Sequence, residues 1–189
     1  MELKANAYSE GHDMNTVRTL TICIVVSLAT AGCASQFKDI KVETVSSPTV
    51  AFGGYESYAW VAAAAIVHDP DGEWTRPDLN LGAEIVHLVN REFRARGMTE
   101  AAVSPDLLVA YAIGVDMKAL DVVVDAESDA EAFEEVAKGG LVLIVVDANS
   151  NRAVWIGGAV ADLMKDPTLE QQKQRLDYAV TKMIARMPR

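Results

Sequence analysis

Residues that could carry catalysis are few, and their spacing assembles no familiar reactive constellation. The chain has 189 residues, two of them cysteine and three histidine. Nucleophilic catalysis needs Ser or Cys beside a His base that an acid orients. No Gly-x-Ser-x-Gly turn is present to hold up such a serine. His87 falls among Glu84 and Arg91 on a candidate helix, which reads as solvated surface. Asp69-x-Asp71-Gly72, with Asp78 beyond, has the spacing of part of a calcium loop, but Val67 stands where the first ligand belongs and the closing glutamate is missing. Asp121, Asp125, Glu127, Asp129, Glu131, Glu134 and Glu135 crowd one stretch, and a charge run of this kind reads as a solvated face. Hydrolysis by paired carboxylates would need a cleft and a fixed separation. Gly139-Gly140 precedes a strand pattern and opens no helix, so it is no phosphate cradle. The expectation is a non-enzymatic protein with no metal and no cofactor.

Charge narrows the partners. Seventeen basic residues against 27 acidic give a net charge of −10. Such a surface argues against nucleic acid and against direct adhesion to anionic lipid headgroups.

Cys33 does stand in a context that assigns chemistry. Leu20 to Ala31 is a charge-free apolar run behind Arg18, ending in the small residues Thr30, Ala31 and Gly32. It is too short to span a bilayer, which takes roughly 20 apolar residues, and it has the length of a signal-peptide core. Ala31-Gly32-Cys33 resembles the lipobox of bacterial lipoproteins, with Thr30 where leucine is usual. That resemblance implies cleavage between Gly32 and Cys33 and a lipid on the Cys33 thiol. Residues 1–32 are therefore expected to be a signal peptide. Glu2, Glu10 and Asp13 are foreign to a basic leader, so Met14 is the alternative start. Residues 33–39 read as a tether and 40–189 as a single domain. Ala34, in place of the aspartate that commonly retains such proteins in the inner membrane, points to the outer membrane, facing the periplasm.

The elements that would position any site follow from periodicity. Ile40 to Val45 alternates apolar and charged residues, as a half-buried strand does. Tyr58 and Trp60 share one face of a second strand. Ala62 to Pro77 reads as a long connection. Asn80 to Arg96 carries a helical stripe of Leu81, Ile85, Leu88, Val89 and Phe93, with Asp78 or Asn80 as cap and Gly97 as terminator. Leu107 to Val115 is a strand, and 119–138 reads as an irregular excursion. Leu141 to Val146 is apolar on both faces, as a central strand is. Its hairpin partner is Arg152 to Val160. A last helix is expected to begin with Pro167 in its first position, with Leu169, Leu176, Val180, Met183, Ile184 and Met187 facing the core.

This order of motifs resembles a known family. Phe52, Tyr55, Tyr58, Ala59 and Trp60 form one run. Arg96-Gly97-Met98, Asp106 to Tyr111, Gly140 to Asp147, Val154 to Gly157 and Met187-Pro188 supply the others. Together with the lipobox they resemble bacterial lipoproteins carrying the domain of unknown function numbered 4136. Ile156 stands where that family often has a basic residue. The resemblance implies a small α+β lipoprotein domain and assigns no catalytic residue. The expected fold is therefore α+β, a mainly antiparallel sheet of about five strands with two helices packed on one face. The expected function is a lipid-anchored envelope protein that binds another envelope component. Tyr55, Tyr58, Trp60 and Trp155 are the expected partner or ligand surface. The alternative is a small-molecule or lipid-binding module with a pocket between sheet and helices.

Overall fold

The alternating stretches become, in the computed structural model, one six-stranded sheet with two helices on one face. The structure describes residues 37–124 and 131–189. The signal segment 1–32 with its cleavage pair Gly32 and Cys33, tether residues 33–36, and Asp125, Glu127 and Asp129 lie outside the described residues. In chain order the elements are β1 (Lys41–Ser46), β2 (Ser57–His68), α1 (Leu81–Ala95), β3 (Thr99–Glu100), β4 (Leu107–Val124), β5 (Glu131–Asp147), β6 (Arg152–Asp162) and α2 (Leu169–Ala185).

The sheet order is β1-β6-β5-β4-β2-β3. Strands β4, β5, β6 and β1 pair antiparallel, whereas β2 runs parallel to both β3 and β4. The sheet is thus mixed and has six strands, where mainly antiparallel pairing of about five was expected. The cause is α1: a helix between two neighbouring strands returns the chain in its original direction. Two further expectations are corrected. Ala62 to His68 is no connection but the second half of β2, laddered to Ala110–Asp116 of β4 after a bulge between Trp60 and Ala62. Residues 119–124 and 131–138 are no irregular excursion, since β4 and β5 pair through Val124 and Glu131, beyond the ends of both neighbouring strands.

Helix boundaries follow local chemistry. Asn80 caps α1, its side chain accepting the Ala83 N–H at 3.1 Å, a contact worth about 1 kcal/mol. At the other end Gly97 takes φ +84°, the left-handed turn that glycine adopts without a Cβ clash. In α2 the cap is Thr168, in a reciprocal capping box with Gln171, so Pro167 precedes the helix instead of opening it. Leu169, expected in the core, is exposed in the first turn.

The core lies between sheet and helices. Ile85, Leu88, Val89 and Phe93 of α1 and Val180, Met183 and Ile184 of α2 meet Leu107, Val109, Leu143, Val145 and Trp155 of the sheet. Each such side chain contributes roughly 1.5–3 kcal/mol on burial. Polar contacts tie the layers together. Arg96 donates to the carbonyls of Ile184, Met187 and Pro188, satisfying the end of α2. The start of the domain is fastened too: Phe37 stacks on Tyr178 with ring centroids 4.5 Å apart, and Arg175 pairs with Asp39.

Candidate binding surface

The four aromatic residues singled out from sequence go to different places. Tyr58 and Trp155 are each only 1% exposed and belong to the core, so neither can form part of an accessible surface. Period-two spacing put Tyr58 on the face that α1 covers, edge-on to Phe93. Trp155 lies flat over Gly157: a Cβ there would stand 2.3 Å from the indole ring. Its indole N–H is buried with no hydrogen-bond partner among the described residues. Trp60 is half-buried; its Nε1–H and the Tyr58 hydroxyl both donate to Asn90 Oδ1 at 2.9 Å. Tyr55 is half-buried just ahead of β2 and donates to Asp147 Oδ2 at 2.8 Å.

That Tyr55 contact belongs to a network that clamps the β5–β6 turn to the start of β2. Asp106 Oδ2 accepts the backbone N–H groups of Glu56 and Ser57 and the Ser57 hydroxyl, all at 2.8–2.9 Å. The Glu56 amide, first among these donors, holds the Asp106 carboxyl below the usual range. Asp147 is lowered by the Ser150 amide and then by the Tyr55 hydroxyl. Burial, followed by the hydrogen bond to Asp147, pushes the Tyr55 phenol up to about 12. These carboxylates are spent on backbone amides and hydroxyls.

The Asp69–Gly72 loop is equally committed. Asp69 accepts the Glu73 and Trp74 amides at 3.0 and 2.9 Å, and Asp71 pairs with Lys118 at 2.6 Å. His68 Nδ1 lies 2.8 Å from Asp116 on the surface. Among the described residues no group of three or more His, Cys, Asp or Glu side chains is placed to hold a metal.

The surface that stands out is one that sequence reading missed: the face of the sheet away from the helices. Cross-strand pairing puts Val45, Ile156, Ile144, Ala110 and Ala62 in one row across five strands. The next rows hold Gly158, Val142, Ala112 and Ala64, then Val160, Gly140, Gly114 and Ile66. Val45 is 70% exposed, Val160 47%, Ile156 39% and Val142 38%. A sheet with one face in water normally alternates apolar inward with polar outward. Here both faces are apolar, and Lys41 and Glu43 of β1 bring charge only to the margin. Monomeric proteins rarely expose contiguous apolar patches above roughly a few hundred Å2.

A second, smaller feature lies beside α1. Trp60, Val61, Ala63, Ala83, Val86 and Tyr111 line a recess of about 580 Å3 that opens at the surface. Trp60 and Tyr111 meet edge-to-face at 5.9 Å in its floor. Gly82 lets the first turn of α1 descend onto Tyr111, whose hydroxyl would lie 2.7 Å from a Cβ there.

Among the described residues no helix is long and apolar enough to cross a membrane. No functionally curated protein matches the chain. A DUF4136 family protein of Bacteroides thetaiotaomicron is 10% identical, covering 78% of this chain and 95% of its own, with a TM-score of 0.51. A PDZ domain protein of Parabacteroides distasonis is 16% identical over 80% of this chain at a TM-score of 0.48, and this chain spans 37% of that protein's length. Lipoprotein GNA1162 of Neisseria meningitidis is 16% identical, covering 70% of this chain and 99% of its own, at a TM-score of 0.32. At 10% identity the likeness to the Bacteroides thetaiotaomicron protein is one of fold. The profile of the domain of unknown function DUF4136 matches residues 42–189, nearly the whole described domain, and the chain belongs to that family.

Proposed function

We propose that this chain is a lipid-anchored protein of the bacterial cell envelope, and that its domain acts without catalysis by seating another envelope component on the open face of its sheet. The observation that carries the binding half is that face itself: a branched aliphatic surface at Val45, Val142, Ile156 and Val160, facing away from both helices. Burying such side chains against a partner contributes about 25 cal/mol per Å2. The anchoring half is supported by the Leu20–Ala31 run and by Ala31-Gly32-Cys33. With Phe37 fastened to α2, only residues 34–36 lie between a lipidated Cys33 and the domain, a reach of roughly 14 Å. The sheet would therefore stay close to the membrane, and Ala34 favours the outer one. The committed state of Asp69, Asp106 and Asp147 supports a role without chemistry.

The recess beside Trp60 favours one second reading, a small apolar ligand such as an acyl chain, because concave apolar sites are where such molecules bind.

Intact mass of the protein extracted from its own membranes tests the anchor. The expected mass is residues 33–189 plus acyl chains, and Cys33→Ser is expected to lose both the lipid and membrane retention. An unmodified chain that keeps residues 1–32 overturns the anchor. Binding of a fluorescent fatty acid that Ala83→Trp abolishes, with the open-face variants Val142→Glu and Ile156→Glu unaffected, would replace the partner reading by the ligand one.

A further inference from the structure

The two edges of the sheet are built differently. At one edge β1 is six residues long and carries Lys41 and Glu43, the short charged kind of edge that discourages strand addition. At the other edge β3 covers only Ser57 and Tyr58. From Ala62 to His68 the outer side of β2 carries no partner strand among the described residues, and every one of these residues is exposed. No charged residue occurs between Ser57 and His68. Ile66 is 64% exposed and Val67 47%. A long, uncharged, hydrophobic edge is a template for another strand.

The order of side chains along this edge, Val61-Ala62-Ala63-Ala64-Ala65-Ile66-Val67, reads nearly the same in both directions. We infer that a second copy of this chain occupies the edge, β2 against β2, antiparallel about a two-fold axis through Ala64. In that register Ala64 faces its own counterpart, Ala63 faces Ala65 of the other copy, and Ala62 faces Ile66. Ile66 meets the small Ala62, Val61 meets Val67 at the ends, and the small alanines let the strands approach at the centre. No charge opposes a like charge, which matters in a chain of net charge −10. The register also keeps faces in step. Ala62, Ala64 and Ile66 lie on the open face and pair among themselves, while Ala63, Ala65 and Val67 lie on the helix-covered side. An isologous contact of this kind closes as a dimer and leaves no unused copy of the edge. Residues 34–36 of a chain processed at Cys33 span at most roughly 14 Å. Four strand spacings, about 19 Å, separate β1 from β2, so that stretch cannot serve as the added strand. The dimer merges two open faces into one surface, but it depends neither on the lipid nor on the partner.

Cysteine pairing in membranes tests it on the full chain. Directly opposed residues in antiparallel strands lie about 4.5–5.5 Å apart at Cα, within the span of a disulfide. Ala64→Cys, oxidised with diamide, is expected to shift from one-chain to two-chain mass on a non-reducing gel. Ala62→Cys and Ile66→Cys are each expected to stay monomeric alone and to pair when coexpressed. The parent chain, which retains the native cysteines, sets the background, and Gln174→Cys at an exposed position of α2 reports random collision. Absence of an Ala64→Cys dimer above the parent overturns the inference. So do equal dimers from all four positions, or a cross-linked product whose added mass is not that of this chain.

Discussion

Gly157 and Gly158 are consecutive residues of β6 on opposite faces of the sheet, and the structure assigns them opposite responses to one added methyl group. A Cβ at Gly157 would lie 2.3, 2.7 and 3.1 Å from three ring atoms of Trp155, against 3.4–4 Å for ordinary contact. The indole cannot swing clear, because Trp155 is packed among Val145, Met183 and the rest of the core. Forcing an extra carbon into a filled core costs about 1–3 kcal/mol. In a domain of about 150 residues this lowers Tm by roughly 2–4 °C per kcal/mol, so Gly157→Ala is expected to lose between about 2 and 12 °C. At Gly158 nothing lies within 4 Å of the added Cβ, which would join the open face. Gly158→Ala is expected to be neutral or to gain up to about 1 kcal/mol by narrowing the unfolded ensemble. Thermal unfolding followed by circular dichroism, with Trp fluorescence in parallel, reads both. An undisturbed Gly157→Ala, or equal losses at the two sites, would refute the assignment of covered and open faces.

Two other expectations follow from the hydrogen bonds. Asn90→Ala removes the acceptor shared by Tyr58 and Trp60 and leaves the nearly buried Tyr58 hydroxyl without it, so the urea midpoint should fall by the equivalent of about 1–3 kcal/mol; Asn90→Asp, which keeps an acceptor, should recover part of that. The Tyr55 phenol, pushed up to about 12 by burial and then by Asp147, ionises later in the folded chain than in the unfolded one. Its contribution is complete below the ordinary tyrosine pKa of about 10 and is lost as pH rises towards 12. Tyrosinate absorbance should show a late-titrating group that Asp147→Asn shifts downward.

Sequence patterning carried much of the fold because particular residues announced their roles. The Ile40–Val45 alternation, the stripe from Leu81 to Phe93 and Gly97 at its end each have one physical reading, and the structure has a strand at Lys41–Ser46, a helix at Leu81–Ala95 and a left-handed Gly97. The second half of β2 was hidden because four consecutive alanines give neither alternation nor strand preference; pairing with β4 makes them strand. Parallel order was hidden for a related reason, since it depends on where the α1 crossover returns the chain. The exposed apolar surface was not legible in the sequence. Apolar residues on both faces of Leu141–Val146 correctly marked a strand central in the sheet. Among the described residues the helices cover only one of those two faces. The conspicuous aromatics drew attention to Tyr58 and Trp155, which serve the core, while plain aliphatics at 142, 156 and 160 form the exposed surface.

The open face is most directly tested in the native envelope with a photo-crosslinking amino acid placed at Ile156, at Val142 and, as a control on the helix layer, at exposed His87. The account predicts one discrete adduct of the same added mass from positions 156 and 142, none from 87, and loss of the 142 adduct when Ile156→Glu is introduced into a chain that still folds. Adducts from 87 alone, or no adduct from either face position in a folded, membrane-retained chain, would contradict it.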